Sequence, residues 1–286
     1  MLPVAILAGL GIYAYVTETT RHRHPFDLPG QILVVGALGC LSGGFILAGE
    51  FGWTAAGTIA LLIAGGAAAL ALARVERLVS VPMIPPELFR NRKFRNLVLV
   101  AGLYNFGFYG ALFCLSLDLH EQLGLSPFDT GLALLPLTAV IGVIAFASGR
   151  MIARLGEWRA VLIGLGFGAG GAALMAVFGG ESVTGTILCS IPFAGIALTM
   201  QAMTALAMEG APRERIGLAS GVQNAARQAG GALGVALLGT LLVAGSGLAL
   251  HLPMAVVSAA YLVSMGLALA GRRRTRSAAA PGSAGA

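Results

Sequence analysis

The chain has 286 residues, 57% of them hydrophobic and only 10% charged, with a formal net charge of +6. A soluble domain carries about 25% charged residues, so this composition excludes a water-soluble globular fold. The basic excess does not point to nucleic acid, because no soluble basic face interleaved with aromatic residues can be drawn.

Nine apolar segments follow one another along the chain. Most approach or exceed the ~20 residues that cross a bilayer as helix, which predicts an all-α, polytopic membrane protein of nine transmembrane helices. The first segment, 2–17, is short for a span, and it lacks the basic n-region and small-x-small cleavage site of a signal peptide. The second and third cover 28–48 and 54–73. A polar stretch follows over 74–95, where Pro82, Pro85 and Pro86 stop helix continuation. The remaining segments are 96–117, 130–148, 160–178, 183–208, one between 217 and 250, and 252–270. The last residues, from Thr275 on, are small and polar, a composition expected to stay disordered.

Charge tests this threading. Of the 18 Lys and Arg residues, 17 fall in alternate loops, around Arg21, Arg74 to Arg95, Arg150 to Arg159, Arg213 and Arg272 to Arg276. The loops between carry Glu50, Asp118, Glu121, Asp129 and Glu181. Cytoplasmic loops hold the basic residues, so the N-terminus is expected outside, the C-terminus in the cytoplasm, and the protein in the inner (plasma) membrane. Cys40, Cys114 and Cys189 lie far apart in apolar runs, without the spacing of a metal site or redox pair.

Four stretches carry a resemblance: Phe26-Asp27-Leu28-Pro29-Gly30; Pro85-Pro86-Glu87-Leu88-Phe89-Arg90-Asn91-Arg92; Gly124-Leu125-Ser126-Pro127 with Gly131-Leu132 and Leu135-Pro136; and Gly217-Leu218-Ala219-Ser220-Gly221 running on through Asn224, Arg227-Gln228 and Gly230 to Gly234. In this order the sequence resembles the major facilitator superfamily, and within it the fourteen-span drug:proton antiporters of the EmrB/QacA type. The resemblance implies that the nine segments match family spans six to fourteen. Residues 1–19 would be the remnant of the last N-terminal-bundle helix, and 28–78 two linker helices. Residues 79–95 would form a cytoplasmic loop, 96–271 a six-helix C-terminal bundle, and 272–286 a basic tail. It further implies a secondary transporter that exports drugs or other hydrophobic small molecules against protons, working in the lipid bilayer. Spans one to five would be supplied by a separately encoded N-terminal half, or else the fragment would be inactive.

Candidate residues follow from chemistry expected at membrane depth. Tyr104, Asn105, Phe108 and Tyr109 join aromatic rings to an amide, a set suited to an amphiphilic organic cation or neutral drug. Gln201 with Met203 nearby makes a similar set, although both clusters equally suit helix packing. Gln223, Asn224 and Arg227 recur with Ser220 at helical spacing, a polar stripe that would line or gate the inner mouth. Arg150 and Arg154, spaced i,i+4, lie in a loop similar to the superfamily's cytoplasmic motif, with Ala153 where the family has an acid. They would latch one conformation or serve only as orienting charge. Asp118 and His120 are expected in a solvated loop. No His-Glu-x-x-His or clustered aspartates occur, so no catalytic residue, metal, cofactor or enzyme activity is expected.

Overall fold

The computed structural model describes residues 28–78, 91–209, 216–244 and 250–278. The short first segment, the start of the Phe26 motif, most of the Pro85 motif, the loop arginines Arg213 and Arg215, and residues 279–286 lie outside the described residues. In chain order the helices are α1 (Leu28–Phe51), α2 (Ala56–Leu78), α3 (Arg92–Leu117), α4 (Pro127–Ala133), α5 (Leu135–Leu155), α6 (Glu157–Phe178), α7 (Val183–Ser190), α8 (Ala197–Glu209), α9 (Ile216–Ala244) and α10 (His251–Ala278). Among the described residues, eight helical runs are long and apolar enough to span a membrane. They account for the second to ninth apolar segments.

Three local departures from uninterrupted helix have chemical causes. The fifth segment is broken at Leu134, because Pro136 at the start of α5 has no N–H to give to the carbonyl one turn back. The seventh is broken at Pro192 for the same reason, and the chain tightens into a 3-10 turn, Pro192–Ile196, before α8 resumes. The fourth does not stop at Leu117. It widens into a π turn, Asp118–Gln122, in which the Leu123 N–H donates to the Asp118 carbonyl at 3.0 Å.

Caps sharpen the other ends. The Asn91 side chain accepts from Lys93 N at 3.0 Å and starts α3. Ser126 accepts from Asp129 N, with Pro127 in the first helical turn of α4. Gly156, at φ +78, makes the turn from α5 into α6.

Helix α3 is central, flanked by α9 and α10. It meets α9 at backbone distance: a methyl group on Gly230 would strike the Gly102 carbonyl, and one on Gly234 the Phe106 carbonyl. Small residues four apart allow such a crossing, and in lipid close van der Waals packing replaces the hydrophobic drive of water. Helix α6 packs on α10, α8 and the 3-10 turn. A column of rings, Tyr104, Phe108, Phe193 and Tyr261, joins α3, the 3-10 turn and α10, with successive centroids 6.0, 6.4 and 6.0 Å apart. The α1–α2 hairpin leans on the bundle through α1 against α9, where Thr240 Oγ1 donates to the Phe45 carbonyl at 2.6 Å.

The charges segregate by end. Lys93 lies 5.9 Å from the Trp158 ring, and the same ring abuts Gly271. The starts of α3 and α6 and the late part of α10 therefore share one basic end. At the other end Asp118 lies beside Gly180 and Leu250.

Candidate functional site

The crossing of α3 and α9 creates two adjoining features. The first is a buried polar seam. Asn105 is 1% exposed, and its Nδ2 donates to the Arg227 carbonyl at 2.9 Å. An amide so deep in an apolar span is costly unless paired, and here it pairs across the crossing. Arg227 lies about 16 Å along α9 from its first residue, counting ~1.5 Å per residue. Its side chain is partly buried, its charge reaches Tyr104, and its Nε is dry with no hydrogen-bond partner among the described residues. Arg227 is thus sunk into the bundle rather than sited at the helix start.

The second feature is a groove of about 920 Å³ between α1, α3 and α9. Tyr109 and Phe113 form one wall, and the Gly231, Val235 and Gly239 stripe of α9 faces them. Methyls at Gly231 and Gly239 would come within 2.9 Å and 2.7 Å of those rings, so the glycines make room for them. Polar groups are few: Ser42, Gln228, Thr240 and, at the mouth, Glu50. An apolar trough with sparse polar groups suits an amphiphilic organic molecule. Ring faces and a carboxylate favour a cation.

The structure separates the residues expected to act together. Tyr104 and Asn105 are buried and Phe108 is partly buried within the ring column, while Tyr109 alone of that set reaches the groove. Met203 is buried, and its carbonyl accepts from Gln223 Nε2 at 3.3 Å, tying α8 to α9. Gln201 and Asn224 are exposed. The stripe on α9 is therefore divided, with Gln223 turned to α8 and Ser220 and Asn224 outward. Arg150 and Arg154 are exposed and hydrogen-bond to no described residue.

Asp118 needs correction. It was expected in a solvated loop and is 1% exposed. The π turn extends α3 past Leu117 and carries Asp118 under the α6–α7 turn, while His120 stays exposed. Glu50, Phe113, Gln228, Phe193 and Tyr261 were not singled out from sequence. Gln228 lay inside a quoted motif, but nothing local marks which rings of distant helices will stack.

Residues 30–235 match the Major Facilitator Superfamily. The chain belongs to this superfamily of membrane transporters, and it is a multi-pass membrane protein rather than an enzyme. It is 32% identical over 246 residues to the multidrug resistance protein Stp of Mycobacterium tuberculosis, covering 85% of this chain and 46% of that protein. It is 34% identical over 244 residues to a tetracenomycin C resistance and export protein of Streptomyces glaucescens, covering 83% and 44%. A methylenomycin A resistance protein of Streptomyces coelicolor is 31% identical over 252 residues, covering 84% and 51%. The chain spans about half the length of these relatives.

Proposed function

We propose that this chain is the C-terminal part of a fourteen-span, proton-coupled exporter of amphiphilic drug-like compounds in the plasma membrane. Its basic end faces the cytoplasm. Residues 28–78 act as linker helices and 96–271 as the bundle that rocks against an N-terminal half, so that one cavity faces each side of the membrane in turn. The resistance and export roles in its relatives' names support the substrate class.

Arg227 carries the reading. A guanidinium held deep in an apolar span is expensive, and such groups mark substrate or ion pathways. The exposed amides of Gln201, Asn224 and Gln228 leave polar groups for an opposing bundle or a substrate to meet. Tyr109 and Gln228 would contact substrate in the groove, and Asn105 would hold Arg227 in place through the backbone.

The test is efflux in a pump-deficient bacterium that expresses the chain with and without an N-terminal half taken from a relative. Accumulation of a fluorescent lipophilic cation should fall only in the complemented strain, and recover when the proton gradient is collapsed. Equal accumulation in both strains overturns the reading. Efflux by the chain alone would show that no second half is required.

A further inference from the structure

At the end of the bundle opposite the basic residues, the Asp118 carboxyl is buried, and its Oδ2 has no hydrogen-bond partner among the described residues. The site is built from three elements. Asp118 stands where α3 gives way to the π turn, a local widening that recurs at functional positions. The α6–α7 turn lies over it: a methyl placed on Gly180, at φ +84, would sit 3.8 and 4.0 Å from the two carboxyl oxygens. That turn offers the carboxyl no donor from Gly180, because the Gly180 N–H is committed to Thr186 Oγ1 at 2.9 Å. The third element is the start of α10, where the charge of His251 acts on Asp118.

The His251 ring is anchored by a bond of its own. His251 Nδ1 lies 2.6 Å from the Ala176 carbonyl. A carbonyl only accepts, so Nδ1 carries a hydrogen and donates it there. The neighbouring titratable groups are few. Cys114, one turn back on α3, feels the Asp118 charge. His120 and Glu121 on the π turn, Asp129 on α4 and Glu181 in the α6–α7 turn are all exposed. None of these is a cation buried against Asp118. A carboxylate shut away from water without a donor is unstable unless a proton or counter-charge neutralises it.

We propose that the buried Asp118 carboxyl is a proton-binding site. With the α6–α7 turn over it, the Asp118 carboxyl holds one proton. Loss of that proton to water leaves a buried, unpaired carboxylate, and the turn must lift to hydrate it. The site does not depend on the export reading, since it would bind a proton in a chain that transports nothing.

The experiment is pH-difference infrared spectroscopy of the purified full chain in lipid nanodiscs. A protonated-carboxyl band is expected that is lost in Asp118→Asn. In His251→Gln its pH profile should move by about one unit or more, as for removal of a neighbouring charge. In Glu181→Gln it should stay put. Should Asp118→Asn fail to fold, Asp118→Glu must keep a band at altered frequency. Survival of the band in Asp118→Asn overturns the proposal, and so does an unchanged profile in His251→Gln. Removal of the band by sodium at constant pH also overturns it, because the site would then hold a metal cation. Drug accumulation plays no part in this readout, so loss of efflux with the band intact would sink only the export reading.

Discussion

The α1–α2 hairpin and the α3–α9 crossing are both pairs of apolar helices, yet they are held in opposite ways. The hairpin helices are the more apolar and the less buried, at 17% and 11% of their spans against 56% and 39% for α3 and α9. In water the order would be reversed. In lipid, apolarity drives a helix into the bilayer but not against a neighbour, and burial goes to helices whose surfaces fit. Gly230 and Gly234 supply that fit on α9, and Asn105 pins it, whereas the hairpin meets α9 on one side only.

Four substitutions would break or sharpen this contrast. Gly234→Leu should act most strongly. Its side chain has to displace the Phe106 backbone, and overpacking of this kind costs about 3 kcal/mol. Thermal unfolding in detergent would measure it, and a tolerated leucine would show that the crossing is looser than described. Arg227→Ala should lower efflux in the complemented protein on the order of tenfold, about 1.4 kcal/mol of barrier, while Glu181→Ala leaves it unchanged. Equal activity of the two variants would remove Arg227 from the inner-mouth role. Asn105→Leu should destabilise the bundle by about 1 kcal/mol, since it removes the side-chain bond to the Arg227 carbonyl across the crossing. The smallest effect is expected at the hairpin contact. Thr240→Val removes the bond to Phe45 and should cost about 0.6 kcal/mol, read as faster hydrogen exchange in α1 with the bundle unaffected.

Much of the scaffold was legible because its signals are local. Apolar run length gives the spans, but the interruptions at Pro136 and Pro192 were not expected, because each proline lies inside a run read as one segment. The candidate site was legible only in part. Asn105 and Arg227 drew notice as polar groups in apolar runs, but that they meet each other did not follow from their spacing. Asp118 was misread because its position after an apolar run resembles any loop acid. The π turn and the overlying Gly180 are what bury it.

The sequence by itself determined that the chain enters a membrane, roughly where each helix begins and ends, and which loops hold the arginines. Those properties are sums over neighbouring residues. The tertiary structure alone decided which glycines touch another backbone, which of two adjacent tyrosines reaches the groove, and which carboxyl is sealed from water. Each of these depends on groups brought together from helices far apart in the chain, and the bilayer, being as apolar as the side chains it surrounds, leaves those pairings to shape and hydrogen bonding.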